Sequence, residues 1–186
     1  ELRRPAKAGA LLSAKAWADF DRGRYTSDTG ELVLDTRAGR MTVNTERTAV
    51  LLGPPGDAQI GALSVARQSV SALVAASSLD TTRLQDSRRV LLFVLTDATN
   101  TGIEFEGAGR TRLRKLGSLP ARAQPAQMLL TLSTTQKGLF RLFAITQDGV
   151  RSEELPVQTA DGQHRLDIDT AALKKGPVFM FELVSE

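Results

Sequence analysis

The feature that most constrains this chain is a series of short apolar runs, each followed by turn-forming residues. From Glu31 onward, hydrophobic and polar residues alternate within each run, and Gly, Pro, Asp and Asn separate the runs. Such alternation is typical of half-buried β-strands, because successive side chains of a strand point to opposite faces. We therefore predict an all-β fold, an antiparallel β-sandwich of roughly ten strands with jelly-roll or immunoglobulin-like connectivity.

Several neighbouring runs flank tight turn signals and predict hairpins. The predicted turns are Arg37-Ala38-Gly39, Gln136-Lys137-Gly138, Asp148-Gly149 and Asp161-Gly162. Residues 89–96 are apolar at nearly every position, which predicts a central strand covered on both faces. Residues 65–78 fit both a strand and a helix, and we favour a strand because strands surround them.

Residues 1–24 differ from the rest of the chain, and we assign residues 25–186 to the sandwich domain. The segment is rich in alanine and places Leu12, Ala16 and Phe20 at helical spacing, which predicts a short helix or a linker. Its large apolar side chains predict a docking segment, with Trp17 as the anchor. Since the first residue is Glu1 and not Met, we also expect a processed product or a piece of a longer polypeptide.

The triplet Asp28-Thr29-Gly30 matches the Asp-Thr-Gly of aspartic proteases. Those enzymes need two carboxylates that share one proton. Their motif ends an apolar strand, whereas here the apolar run follows the triplet. We therefore predict a structural turn, with Gly30 at positive φ and with Gly39 serving the next turn.

Two longer stretches, residues 27–48 and 78–102, resemble the C-terminal β-sandwich domains of bacterial glycoside hydrolases. The matching residues are Ser27, Asp28, Thr29, Gly30, Asp35, Gly39, Thr45, Arg47, Thr48, Ser87, Arg88, Arg89, Asn100, Thr101 and Gly102. The chain departs from that pattern at Leu34, Asn44 and Glu46, where Trp, Asp and Pro are usual.

The resemblance implies a non-catalytic accessory domain of a secreted, extracytoplasmic carbohydrate-active enzyme. Its implied partner is a catalytic domain of the same polypeptide, which the sandwich packs against or orients. Two alternatives stay open: a carbohydrate-binding module that holds polysaccharide through Trp17 and Tyr25, and a hydrolase with its active site in this chain.

The sequence contains few candidates for chemistry of its own. There is no cysteine, and the single histidine, His164, shares a strand face with Leu166 and Ile168, which is typical of a core position. Glu104 and Glu106 alternate with apolar residues and predict a solvent-exposed face, and no Ca²⁺-loop motif occurs. We expect no catalytic residue, metal or cofactor.

Charge and hydropathy limit the classes of partner that we expect for the chain. The net charge is +3, and its one tight basic run, residues 110–115, lacks the interleaved aromatic residues on which nucleic-acid bases stack. We expect no nucleic-acid partner. No apolar run is long enough for a membrane span, so none is expected.

Overall fold

The computed structural model describes residues 17–176 and 178–185. Apart from a short 3-10 turn at Leu84–Asp86, the elements in this part of the chain are strands. In chain order they are β1 (Trp17–Asp19), β2 (Arg24–Thr26), β3 (Leu32–Asp35), β4 (Arg40–Asn44), β5 (Thr48–Gly53), β6 (Ala58–Ile60), β7 (Leu63–Ala66), β8 (Ala72–Ser78), β9 (Arg89–Leu95), β10 (Ala98–Thr101), β11 (Glu104–Glu106), β12 (Arg112–Lys115), β13 (Ser118–Ala123), β14 (Gln127–Ser133), β15 (Phe140–Ile145), β16 (Arg151–Leu155), β17 (Val157–Ala160), β18 (Gln163–Asp169) and β19 (Met180–Ser185).

The strands form two main antiparallel sheets, which confirms the predicted sandwich. The large sheet has ten strands in the order β1-β2-β3-β4-β5-β8-β9-β19-β15-β16, and the small sheet has five in the order β17-β18-β14-β7-β6. Two separate two-stranded ribbons, β10-β13 and β11-β12, belong to neither sheet. None of the described residues lies in a helix that could span a membrane.

The core lies between the two sheets and follows the alternation seen in the sequence. In β18, for example, His164, Leu166 and Ile168 are buried while the residues between them are exposed. The buried apolar side chains of β5, β8, β9, β15 and β19 meet those of β7, β14 and β18 in one cluster. Burying such side chains stabilises the fold by about 1.5–3 kcal/mol each, so one cluster of this kind can support the sandwich.

Three predicted hairpins are confirmed. β3 pairs with β4 across Gly39, β15 with β16 across Asp148-Gly149, and β17 with β18 across Asp161-Gly162. Asp161 and Gly162 have φ angles of 50° and 72°, the left-handed pair that a two-residue hairpin turn requires. The preferred strand assignment for residues 65–78 is also confirmed, since they contain part of β7 and all of β8.

The hairpin predicted across Gln136-Lys137-Gly138 is wrong. β14 lies in the small sheet and β15 in the large sheet, so this connection passes from one sheet to the other. Both strands bury alternate side chains against that core, Leu130 and Leu132 from one side and Phe140 and Leu142 from the other. Alternation shows that a strand has a buried face, but it does not show whether the next run lies beside it or opposite it.

The N-terminal prediction needs correction where the structure describes it. Residues 17–26 form a hairpin of β1 and β2, not a helix or a linker, and β2 pairs with β3 at the edge of the large sheet. Gly23 makes this possible, because its φ is 66° and a Cβ there would lie 2.4 Å from the Thr36 hydroxyl. The helical spacing noted above begins at Leu12 and so falls largely on residues 1–16, which lie outside the described residues.

Candidate functional site

One face of the large sheet packs on the small sheet, and the opposite face, here called the outer face, also carries apolar side chains. Residues paired directly across antiparallel strands share a face, so the register defines the rows on that face. One row contains Tyr25, Leu34, Met41, Leu52, Leu73 and Leu95. A second row contains Leu32, Val43, Val50, Ala75, Phe93, Met180 and Ile145.

The outer face is open to solvent. Leu32, Leu34, Leu52 and Leu95 are 37%, 36%, 41% and 39% exposed, and most of the other row members are half-buried only by their neighbours in the sheet. Isolated exposed leucines are common on protein surfaces, but a contiguous apolar face is an indication of an interaction site.

Strand β9 shows most clearly that the apolar outer face lacks a covering layer within the described residues. Its sequence predicts a strand covered on both faces, and the structure confirms its central place between β8 and β19. However, only Val90, Leu92 and Val94 face the core, while Leu91, Phe93 and Leu95 point to the outer face. The prediction that both faces of this strand are covered is therefore wrong for the described residues. The composition of the strand nevertheless matches a sheet that is covered on both sides.

An ionic cluster borders the apolar rows near β16. Glu182 is buried, although it projects from the outer face, and its two carboxylate oxygens accept hydrogen bonds from the Nε atoms of Arg89 and Arg151. Burial tends to raise the pKa of Glu182, but the hydrogen bonds from Arg151 and Arg89 outweigh burial and lower it. The guanidinium groups of Arg141 and Arg151 lie 4.9 and 4.5 Å from the centre of the Phe143 ring.

The predicted binding or docking residues Trp17 and Tyr25 do not form one platform. Tyr25 is paired with Ala18 and belongs to the outer face, whereas Trp17 is paired with Thr26 and points to the opposite side of the sheet. Trp17 is 40% exposed, and Tyr25 contacts Phe20 edge-on at 5.5 Å between ring centroids. A sugar ring therefore cannot stack on Trp17 and Tyr25 from one side.

The Asp-Thr-Gly triplet lies in the turn between β2 and β3. The Gly30 N–H donates to the Ser27 carbonyl at 3.0 Å, and Gly30 has a φ of 79°. Asp28 accepts a hydrogen bond from the Thr29 N–H at 2.9 Å and is exposed. Gly39 has a φ of 61° in the following turn, where Asp35 accepts from the Arg37 and Ala38 N–H groups.

We expect Gly30→Val to lower the free energy of unfolding by about 1–3 kcal/mol, because a branched side chain is strained at this φ. Asp28→Asn is the matched control in the same turn, and it should leave both stability and any hydrolytic activity of the intact protein unchanged. Thermal unfolding followed by circular dichroism measures the first effect. Loss of activity in Asp28→Asn at an unchanged melting temperature would contradict the assignment of the triplet to a turn.

The two stretches that carry the family resemblance meet in one hydrogen-bonded network around Asp80. The Asp80 carboxylate accepts from the Ser78 hydroxyl at 2.8 Å, the Thr82 hydroxyl at 2.5 Å and the Arg88 N–H at 2.8 Å. Arg47 donates to the Asp80 carbonyl at 2.5 Å. Partial burial tends to raise the pKa of Asp80, but these hydrogen bonds hold it well below its usual range. The role of Asp80 was not predicted from the sequence, although Asp80 lies inside the second matching stretch.

His164 occupies the core position that its spacing predicted. The ring is 1% exposed, its Nδ1 lies 2.9 Å from the Thr159 hydroxyl, and it packs on Phe140 at 4.1 Å between centroids. Nε2 is buried without a hydrogen-bond partner. Burial lowers the pKa of His164, which therefore favours the neutral ring. Among the described residues, the hydroxyl hydrogen-bonded to His164 is that of Thr159 and not of a serine.

The acidic residues of β11 lie on a solvent-exposed face. Glu104 and Glu106 are exposed and make ion pairs with Lys115 and Arg112, as their alternation predicted. The described residues contain no group of three or more His, Asp or Glu side chains placed to hold a metal ion. A cleft of about 390 Å³ at the end of the sandwich, between Val94 and Val178, has no acidic residue in its lining.

Comparison with known proteins does not define a class for this fold and site. No protein-family model, curated protein or solved structure matches the chain. The outer face therefore has to be interpreted from its own geometry.

Proposed function

We propose that this chain is a non-catalytic accessory domain of an extracytoplasmic carbohydrate-active enzyme, and that it packs through the outer face against a catalytic domain of the same polypeptide. The observation that carries the docking role is the outer face itself. A ten-stranded sheet with apolar rows on both faces has a covering layer on only one of them within the described residues.

The size of the outer face supports a neighbouring domain as its occupant. Seven strands about 4.8 Å apart and two residue rows about 6.8 Å apart give an area of about 450 Å², or about 900 Å² when both partners are counted. Interfaces between domains of one chain bury about 600–1,500 Å² in total, whereas a stable free dimer needs about 800 Å² from each partner. Covalent attachment raises the effective concentration of a neighbouring domain, so a patch of this size is sufficient to hold that domain in place.

The side chains of the outer face support docking over sugar binding. Sugar-binding surfaces depend on exposed aromatic platforms, whereas the exposed members of the rows are leucines. The two aromatic residues predicted to bind polysaccharide are on opposite faces of the sheet. The assignment to a carbohydrate-active enzyme rests on the sequence resemblance, whose matching residues hold turns and the Asp80 loop.

The test compares Leu34→Ser/Leu52→Ser with Trp17→Ala in the intact natural polypeptide and in the isolated chain. Leu34 and Leu52 are exposed on the outer face, while Trp17 is exposed on the opposite side. In the isolated chain each variant should change the free energy of unfolding by less than about 1 kcal/mol. In the intact polypeptide the double leucine variant should separate the unfolding transitions of the two domains. Trp17→Ala should not, because Trp17, the anchor predicted from the sequence, points away from the outer face; separation by Trp17→Ala would instead support that anchor role.

Hydrogen exchange gives a second measurement of the same contact. Amides of β3, β4 and β5 should exchange more slowly in the intact polypeptide than in the isolated chain, and the leucine variant should remove that protection. Equal exchange in both forms would show that the outer face is not the docking surface. An intact polypeptide without a catalytic domain would reject the accessory role itself.

A further inference from the structure

The two ribbons outside the main sheets form a basic arm, defined here as residues 98–123. β10 pairs with β13 and β11 pairs with β12, with a register shift in each pair. Thr101 donates to the Pro120 carbonyl at 2.7 Å and Asn100 to the Leu116 carbonyl at 3.1 Å, which hold the arm together. β12 is exposed along its whole length, and β13 is exposed except at its last residue.

The arm carries an excess of cations, as do residues 1–16, whose net charge is also +3. The arm carries five cations, Arg110, Arg112, Arg114, Lys115 and Arg122, and two anions, Glu104 and Glu106, which leaves a net charge of +3. The whole chain has 24 basic and 21 acidic residues, so the remainder holds 19 of each and is neutral. An anionic partner that approached the arm would therefore meet a net positive charge.

The ion pairs inside the arm do not cancel its positive field. Arg112 and Arg114 share Glu106 at 3.3 and 3.8 Å, and their side chains are 80% and 66% exposed. Exposed pairs of this kind have weak coupling, so an external anion can compete for the same guanidinium groups.

The arm also exposes three large apolar side chains. Leu113, Leu116 and Leu119 are 49%, 64% and 82% exposed, and Leu119 is the most exposed large hydrophobic residue among those described. Exposed leucines among basic residues do not help to bind a polyanion, which offers only charge and hydroxyl groups. They do match the boundary of a lipid bilayer, where apolar side chains enter the acyl region and cations meet the headgroups.

We propose that the basic arm binds the surface of an anionic phospholipid bilayer. Arg112, Arg114 and Lys115 meet the headgroup phosphates, and Leu116 and Leu119 enter the interface. This is peripheral attachment by a β-ribbon and does not depend on the docking of the outer face.

The experiment is sedimentation of the isolated chain with vesicles of phosphatidylcholine and phosphatidylglycerol in equal amounts, and with vesicles of phosphatidylcholine alone. The chain should sediment with the anionic vesicles only, and raised salt should release it. Arg112→Gln/Arg114→Gln/Lys115→Gln should lower the partition coefficient about a hundredfold, since each basic residue near such a surface contributes about fivefold. Leu116→Ser/Leu119→Ser should lower it by about tenfold or more.

Two matched controls lie outside the arm. Lys137→Gln/Arg165→Gln/Lys175→Gln removes the same charge from exposed positions elsewhere, and Leu139→Ser replaces a leucine that is 64% exposed. Both controls should bind within about twofold of the parent chain, and melting curves should show every variant folded.

Three results would overturn the proposal. The first is no vesicle binding by the folded parent chain. The second is equal weakening by the remote charge variant, which would mean a nonspecific effect of net charge. The third is binding to a sulfated polysaccharide, with no binding to vesicles and no effect of the leucine substitutions.

Discussion

Asp80→Ala is expected to lower the free energy of unfolding by about 2–4 kcal/mol, because hydrogen bonds to a charged group contribute about 1.5–3 kcal/mol each. The substitution removes the acceptor of the Ser78 and Thr82 hydroxyls and of the Arg88 N–H. It would therefore release the loop that joins β8 to β9. Chemical denaturation at neutral pH measures the loss.

The matched control for Asp80→Ala is Asp57→Ala. Asp57 is an exposed aspartate whose backbone carbonyl, which the substitution keeps, accepts a hydrogen bond from Arg40. It should change stability by less than about 0.5 kcal/mol. Because the folded pKa of Asp80 is lowered, its contribution is present above the unfolded pKa of about 3.9 and is lost as the pH falls further. Equal effects of the two alanine substitutions would show that the loop does not depend on Asp80.

Lowering the pH below about 6.5 is expected to destabilise the chain through His164, at a rate of up to about 1.4 kcal/mol per pH unit. Burial lowers the folded pKa of His164, so the unfolded chain takes up a proton in this range before the folded chain does. The contribution of His164 is fully present above the unfolded pKa and declines as the pH falls through the folded pKa. The pH range in which His164 affects stability lies above the range in which Asp80 does, so the two contributions can be measured separately.

His164→Leu is the variant that tests this pH dependence. Leucine fits the apolar surroundings of Phe140 and does not titrate, so the slope of stability against pH between about 6.5 and 5 should flatten. Lys137→Gln, a substitution at an exposed position, should keep the parent slope. A parent chain whose stability is constant over this range would show that His164 is not held neutral by the fold.

The outer face and the basic arm suggest two separate surfaces with different chemistry. The outer face is aliphatic and broad, which suits a protein neighbour, whereas the arm combines leucines with a net positive charge. The proposed functions of both surfaces can be tested independently, because Leu34 and Leu52 belong to the large sheet and Leu116 and Leu119 do not.

The sequence by itself determined the fold class, roughly half of the nineteen strands in the described residues and three of the four predicted hairpin turns. These properties are local: alternation identifies a strand, and residues such as Asp161 and Gly162 identify a turn because few residues adopt positive φ. The core position of His164 was equally predictable, because residues two apart on a strand share a face.

Only the tertiary structure decided which side of each strand meets the core and which strands lie side by side. Leu32 and Leu34 share a face in any strand, but pairing with β4 and β5 is what places them on the outer face. Trp17 and Tyr25 lie close in sequence, yet the register of β1 and β2 separates them to opposite faces. The contacts of Arg47 with Asp80 and of Arg89 with Glu182 join residues far apart in the chain, and such contacts leave no mark in local periodicity. The passage from β14 to β15 places two consecutive runs in different sheets, which periodicity does not show either.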